Sequence, residues 1–253
     1  RVVHAGCGVN ALSGLQKSCQ FNILQDHVGL ISVAHQAVLR LSSFSNMVDM
    51  KTTHTPPFAG HTLHFVEFDP ASFREQDLLW LPHYAQFNTL DVNVKEHLAG
   101  RIAAIYALRE YGYKCVPAIG ELRQPVWPAG VYGSISHCGT TALAVVSRQP
   151  IGIDIEEIFL AQTARELTDN IITPAEHSDL QTAVLAFPLA LTLAFSAKES
   201  AFKASEIQTD ADFLDYQIIS RNKQQVIIHR ENEMFAVHWQ IKEKIVITLC
   251  QHD

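Results

Sequence analysis

The sequence predicts an α+β fold, and three observations carry that reading. The C-terminal end reads as a meander of three short strands parted by charged turns, further strand text stands earlier in the chain, and helix-length stretches lie between them. Helices mixed with antiparallel strands give the α+β class.

In chain order, residues 1–49 read as a leader. Arg1 is not an initiator, Met47 and Met50 are plausible native starts, and Val2 to Leu41 lacks the charged start, compact apolar core and small-residue cleavage pattern of a secretory signal. A helix is expected around Val28 to Leu41, where Ile31, Ala34, Val38 and Leu41 share a side. Thr62 to Phe68 reads as a strand and Lys95 to Tyr111 as a helix whose buried stripe is Ile102, Ile105, Tyr106 and Leu108. Val116 to Gly130, rich in Pro, Trp and Gly, reads as a loop. Around His137 the small residues of Ser-Ile-Ser and Cys-Gly-Thr-Thr suggest a turn ahead of strand Ala142 to Ser147. A second half opens after Arg148-Gln-Pro150 with strand Ile151 to Glu156. Helices near Pro174 to Ala183 and Pro188 to Ser205 follow, then strands Val226 to His229, Phe235 to Ile241 and Ile245 to Cys250. The expected division is residues 1–49, an N-terminal subdomain 50–148 and a C-terminal subdomain 149–253.

Composition narrows the class. A chain of 253 residues with 47% hydrophobic content can bury a full core. The net charge of -7, without clustered cations, argues against nucleic acid as a partner. Five scattered cysteines with no Cys-x-x-Cys pair suggest neither zinc nor redox chemistry and fit a reducing cytoplasm. The longest apolar run, the 13 residues Ala183 to Phe195, is interrupted by Pro188 and falls short of the roughly 20 needed to span a bilayer. It reads as a buried helix.

Two acidic segments carry the chemistry. In Ile151-Gly-Ile-Asp-Ile-Glu156 the isoleucines alternate with Gly152, Asp154 and Glu156, so a strand with its isoleucines in the core turns both carboxylates to its other face. In Phe195-Ser-Ala-Lys-Glu-Ser-Ala-Phe-Lys203, Glu199 and Lys203 are four apart and share a helix face. Three carboxylates and a lysine are a metal-and-phosphate set, whereas an edge-strand face and a surface helix pair are the plain alternatives. Charges embedded in such apolar stretches usually have partners. Thr173-Pro-Ala-Glu176 reads as a capping box, with Pro174 at the first helical position.

These segments, with Tyr132-Gly-Ser-Ile-Ser-His-Cys138, Trp127-Pro128, Arg123-Gln-Pro125 and Glu96-His-Leu-Ala-Gly-Arg101, resemble in order and spacing the 4'-phosphopantetheinyl transferases of the surfactin-synthetase-activating and enterobactin type. The resemblance runs from about Phe58 to Asp253. It implies two pseudo-symmetric α/β subdomains with antiparallel sheets and an active site in the cleft between them. It also implies transfer of the phosphopantetheine arm of coenzyme A to a carrier-protein serine, releasing adenosine 3',5'-bisphosphate. By the same resemblance Asp154, Glu156 and Glu199 would hold Mg2+, a small cation that prefers oxygen ligands, and Lys203 would lie against the phosphates. Arg101, Arg123, Ser136 and His137 would meet coenzyme A, with His137 near the 3'-phosphate. Glu176 and Glu199 both stand as candidates for the base, and a cap residue can also face a metal.

The implied partners are apo aryl or peptidyl carrier domains of a nonribosomal peptide synthetase. The implied place is the cytoplasm, with peripheral membrane association only through a synthase complex. One departure stands out: the family commonly carries several basic residues just before Glu96, and Phe87 to Lys95 offers only Lys95. A non-catalytic subunit that binds coenzyme A or a carrier is the alternative from another class. A serine hydrolase using Ser134 or Ser136 is disfavoured, because Gly133-Ser-Ile-Ser-His-Cys-Gly139 does not make a Gly-x-Ser-x-Gly elbow.

Overall fold

Strand pairing in the first half starts from polar, edge-type text. In a computed structural model, which describes residues 50–74, 92–120, 124–181, 185–205 and 212–251, β1 (Met50–His54) pairs antiparallel with β2 (His64–Phe68), Met50 opposite Phe68 and His54 opposite His64. The expected leader and its helix, Arg123, and Phe87 to Asp91 lie outside the described residues. Helix α1 (Val92–Glu110) packs on this sheet, and the two-residue strands β3 (Ala118–Ile119) and β4 (Pro125–Val126) pair within the Pro/Trp/Gly loop. Strands β5 (Tyr132–Cys138) and β6 (Thr141–Ser147) complete the order β1-β2-β6-β5. Their core gathers Val66, Leu98, Ile102, Leu108, Ala142 and Ala144, so the stripe read from α1 is the buried one.

The expected turn around His137 is instead most of β5. Small side chains do not force a turn when they alternate with larger ones, and here Ser134, Ser136 and Cys138 are the more buried set against Ile135 and His137. The reversal comes later, at Gly139, whose φ of 58° lies in the left-handed region that a tight hairpin requires.

The chain divides into two compact units that meet in sequence at Val146 and Ser147. The second unit opens on β7 (Ile151–Glu157), then α2 (Ala161–Ile171), α3 (Pro174–Gln181) and α4 (Phe187–Ala204). Strands β8 (Gln217–Arg221), β9 (Gln225–Arg230), β10 (Glu233–Lys242) and β11 (Ile245–Gln251) build an antiparallel sheet of order β7-β11-β10-β9-β8. The meander strands agree with the sequence reading to within two residues at each end. Among the elements it passed over, β1 and β8 are largely exposed and polar, with little alternation to detect, while α2 buries only Ala164, Thr168 and Ile171.

Helix α4 is the axis of this unit. Pro188 sits in its first turn, where a missing N–H costs nothing. One side packs on the sheet with Leu193, Ala197, Ala201 and Ala204 against Val226, Phe235 and Val246. The other side sets Leu191, Ala194 and Phe195 against Ala164, Ile171 and Leu180 of α2 and α3. A helix apolar on both sides is therefore buried on both.

Candidate active site

Strand β7 and helix α4 bring the two acidic segments together. Their contact is close because Gly152 has no side chain: a Cβ there would stand 1.9 Å from the Ser200 carbonyl oxygen. The polar face of β7 turns to α4, and both of its faces are buried, with Asp154 and Glu156 each 1% exposed. Neither carboxylate is the solvated edge of a strand. Lys203 Nζ donates to Asp154 Oδ1 at 2.8 Å and to the Ile153 carbonyl at 3.2 Å, and Glu199 Oε2 lies 3.8 Å away.

The electrostatics follow from that burial. Burial first, with the Asp154 charge adding and Lys203 opposing, pushes the Glu199 carboxyl up to about 7. Burial works against the Lys203 charge as well, but Asp154 and then Glu199, with a smaller part from Glu156, more than offset it and hold the ammonium above its ordinary value. Three carboxylates of hard oxygen therefore act on one cation, and with all three ionised the four groups would carry a formal charge of minus two. That donor set and charge suit a divalent ion of the Mg2+ type. Among the described residues no group of three or more His, Cys, Asp or Glu is arranged to hold a metal ion, and Lys203 stands between Asp154 and Glu199.

Glu176 is held elsewhere. Its Oε2 accepts from the Thr173 N–H at 2.7 Å while its own N–H donates to Thr173 Oγ1 at 3.3 Å, which is the capping box read from the sequence. Oε1 accepts from the Ile218 N–H at 2.8 Å and lies 2.9 Å from Lys198 Nζ. Lys198, fully buried, also donates to the Ile171 carbonyl at 2.8 Å. Burial depresses the Lys198 amine, and Glu176 opposes that shift. Sequence reasoning passed over this lysine; its one signal was a second cation beside Glu199 in an apolar helix.

In the first unit, successive residues of β5 turn to opposite faces, so Ser136 and His137 do not present side chains together. His137 Nδ1 faces Glu96 Oε2 of α1 at 3.5 Å. Arg101 of α1 is buried. Its Nη1 donates to the carbonyls of Pro117 and Ala118 at 3.0 and 3.1 Å, and burial lowers it to about 10, so it stays a cation at neutral pH. It anchors the backbone at Pro117 and Ala118. Lys95 donates to the Pro70 carbonyl.

Comparison with known proteins decides the class. A family profile described as "4'-phosphopantetheinyl transferase N-terminal domain" matches residues 85–147, and one described as "4'-phosphopantetheinyl transferase superfamily" matches residues 150–250. The chain belongs to the 4'-phosphopantetheinyl transferase superfamily. Among its relatives in that superfamily, the protein named enterobactin synthase component D of Escherichia coli strain K12 is 87% identical over 206 residues, 81% of this chain and 100% of the relative. The protein of the same name from Salmonella typhimurium is 62% identical over 61% of this chain and 67% of its own length. The 4'-phosphopantetheinyl transferase PptT of Mycobacterium tuberculosis is 33% identical over 43% of this chain and 49% of its own length.

As a phosphopantetheinyl transferase the chain moves the arm of coenzyme A to apo carrier proteins, and the non-catalytic alternative gives way to the enzyme. The mixed fold of helices and antiparallel sheets agrees with the family. Among the described residues no helix is long and apolar enough to cross a membrane.

Proposed function

We propose that this transferase loads aryl and peptidyl carrier domains of a nonribosomal peptide synthetase that builds an enterobactin-type siderophore, and that Asp154, Glu156 and Glu199 hold Mg2+ for the reaction. The buried carboxylates gathered about Lys203 are the observation that carries the site. The name of the Escherichia coli relative, enterobactin synthase component D, matched along its whole length, supports the siderophore assignment. The cytoplasm, where coenzyme A and apo carriers meet, is the place this reading implies.

The bound ion would neutralise charge on the pyrophosphate of coenzyme A. The chain's own groups do the rest. A carrier serine oxygen forms a bond to the phosphorus of the phosphopantetheine arm, and the P–O bond to adenosine 3',5'-bisphosphate breaks with its electron pair on the departing oxygen. Such a transfer rewards positioning and charge stabilisation above covalent chemistry. Lys203 supplies a fixed cation to the phosphate oxygens. Glu199 takes the serine proton on a carboxylate oxygen. Glu176, with its oxygens engaged in the cap, the Lys198 pair and the Ile218 N–H, keeps α3 in place. On this reading His137 and Arg123 serve the coenzyme A end, while Arg101 holds the carbonyls of Pro117 and Ala118 and Ser136 lies buried in β5.

Mass spectrometry of apo carriers incubated with coenzyme A and Mg2+ tests the reading. Siderophore carriers are expected to gain the arm faster than fatty-acid or polyketide carriers, and Asp154→Ala and Glu199→Ala are expected to stop transfer while the chain stays folded. Full rate in either variant at low Mg2+ would overturn the ligand set.

A further inference from the structure

The sheet-facing side of α4 is polar at positions where apolar packing would bury as well. Ser196, Ser200 and Thr248 of β11 are all fully buried, and they bond one another. Ser196 Oγ lies 2.9 Å and Ser200 Oγ 2.6 Å from Thr248 Oγ1, Thr248 Oγ1 donates to the Ser196 carbonyl at 2.8 Å, and Ser200 Oγ reaches the Thr248 carbonyl at 3.0 Å. Three hydroxyl protons serve these four contacts: Thr248 donates to the Ser196 carbonyl, Ser196 donates to Thr248 Oγ1, and Ser200 shares its proton between Thr248 Oγ1 and the Thr248 carbonyl.

Position gives this cluster a further meaning. Thr248 stands directly opposite Asp154 in the β7–β11 register. Ser196 and Ser200 bracket Glu199 on the helix, and Lys203 follows within a turn. The bonds thus tie the segment that bears Glu199 and Lys203 to the strand beside Asp154. Apolar contacts tolerate sliding, because dispersion and burial are non-directional. Hydroxyl bonds do not: a one-residue slip moves a helix about 1.5 Å along its axis and turns it by about 100°, which would break every bond in the set at once.

We propose that Ser196, Ser200 and Thr248 are positioning residues for transfer, a buried hydroxyl clasp that fixes the register of Glu199 and Lys203 against Asp154 and Glu156. The inference rests on the reading of those four groups as the reaction centre. It assigns the clasp no contact with substrate.

Three variants separate positioning from plain stability, with kcat counted per folded molecule by circular dichroism. Thr248→Val keeps the shape and removes the hydroxyl; kcat for carrier loading is expected to fall about 10- to 100-fold, with KM for coenzyme A changed less than about twofold. Thr248→Ser keeps the hydroxyl and is expected to restore most of the rate. The triple variant Ser196→Ala, Ser200→Ala, Thr248→Val removes all three hydroxyls together and leaves no hydroxyl unpaired, so it is expected to stay folded and still be slow. If Thr248→Val does not fold, the triple variant decides.

A folded triple variant with wild-type kcat would overturn the clasp, as would a Thr248→Ser variant no faster than Thr248→Val. Asp154→Ala in the otherwise unchanged enzyme isolates the underlying reading. Full activity there sinks the reaction centre itself, whereas lost activity there beside a fully active triple variant sinks the clasp alone.

Discussion

Replacing Gly152 by alanine adds one carbon at the tightest contact between β7 and α4. That carbon would stand 1.9 Å from the Ser200 oxygen, 2.7 Å from the Ala204 nitrogen and 2.9 Å from the Ser200 carbonyl carbon. Side-chain carbons essentially never approach other atoms closer than 3.0 Å, so helix and strand must part by about 1 Å. No side chain can rotate to relieve the clash, because all three atoms are backbone in a helix wedged between the sheet and the pair α2 and α3. Overpacking of this kind costs about 1–3 kcal/mol or more.

The same movement reaches the site. Lys203 Nζ and Asp154 Oδ1 are 2.8 Å apart across this contact, and an opening of about 1 Å takes them beyond hydrogen-bond length. A displacement of that size is expected to lower kcat/KM about 100-fold. Urea unfolding gives the first quantity, and the initial rate of carrier loading by intact-protein mass spectrometry gives the second. Glycine is otherwise a poor strand residue, so relief of its entropic cost would by itself stabilise Gly152→Ala by about 0.5–1 kcal/mol. A variant as stable and as fast as wild type would therefore refute the packing argument.

The metal-free protein should respond to pH through Glu199. Its carboxyl, ordinarily near 4.5, is pushed up to about 7, so the fold holds a proton that the unfolded chain has already released. That contribution is complete below the unfolded value and is lost as pH rises through about 7. Urea stability in a chelator should fall from pH 5 to pH 8 by an amount on the order of 3 kcal/mol, and Glu199→Gln should flatten the slope. An unchanged slope in that variant would count against the assignment. For the second buried pair, Lys198→Met strands the Glu176 carboxylate and is expected to cost about 3–5 kcal/mol in urea unfolding. Adding Glu176→Gln should recover about half of that loss, and no recovery would show that the pair is not coupled.

Much of the second unit could be read from text. The isoleucine alternation of β7, the three meander strands and the helix running to Ala204 each carry a period that secondary structure imposes. The capping box at Thr173 and Glu176 was legible for the same reason, since its two bonds join residues three apart. Elsewhere local pattern misled. The serines of β5 looked like turn residues because their size, not their neighbours across the sheet, was all the sequence displayed. The resemblance sets Arg101 against coenzyme A, and only the fold brings the carbonyls of Pro117 and Ala118 to it.

The α+β class, the pairing of Asp154 with Glu156 on one strand face and of Glu199 with Lys203 on one helix face, and the family these residues resemble were all legible in the chain before any fold was known. Those are properties of neighbours two to four positions apart, which backbone geometry alone decides. Only the tertiary structure decided that both faces of β7 are buried, that Lys203 stands among the carboxylates, and that Glu176 serves Lys198 and the Ile218 N–H. It alone decided the close contact at Gly152 and the clasp of Ser196, Ser200 and Thr248. Each of these joins residues about 20 to 50 positions apart, and no period within a strand or a helix records which distant atoms a packed core brings to within 3 Å.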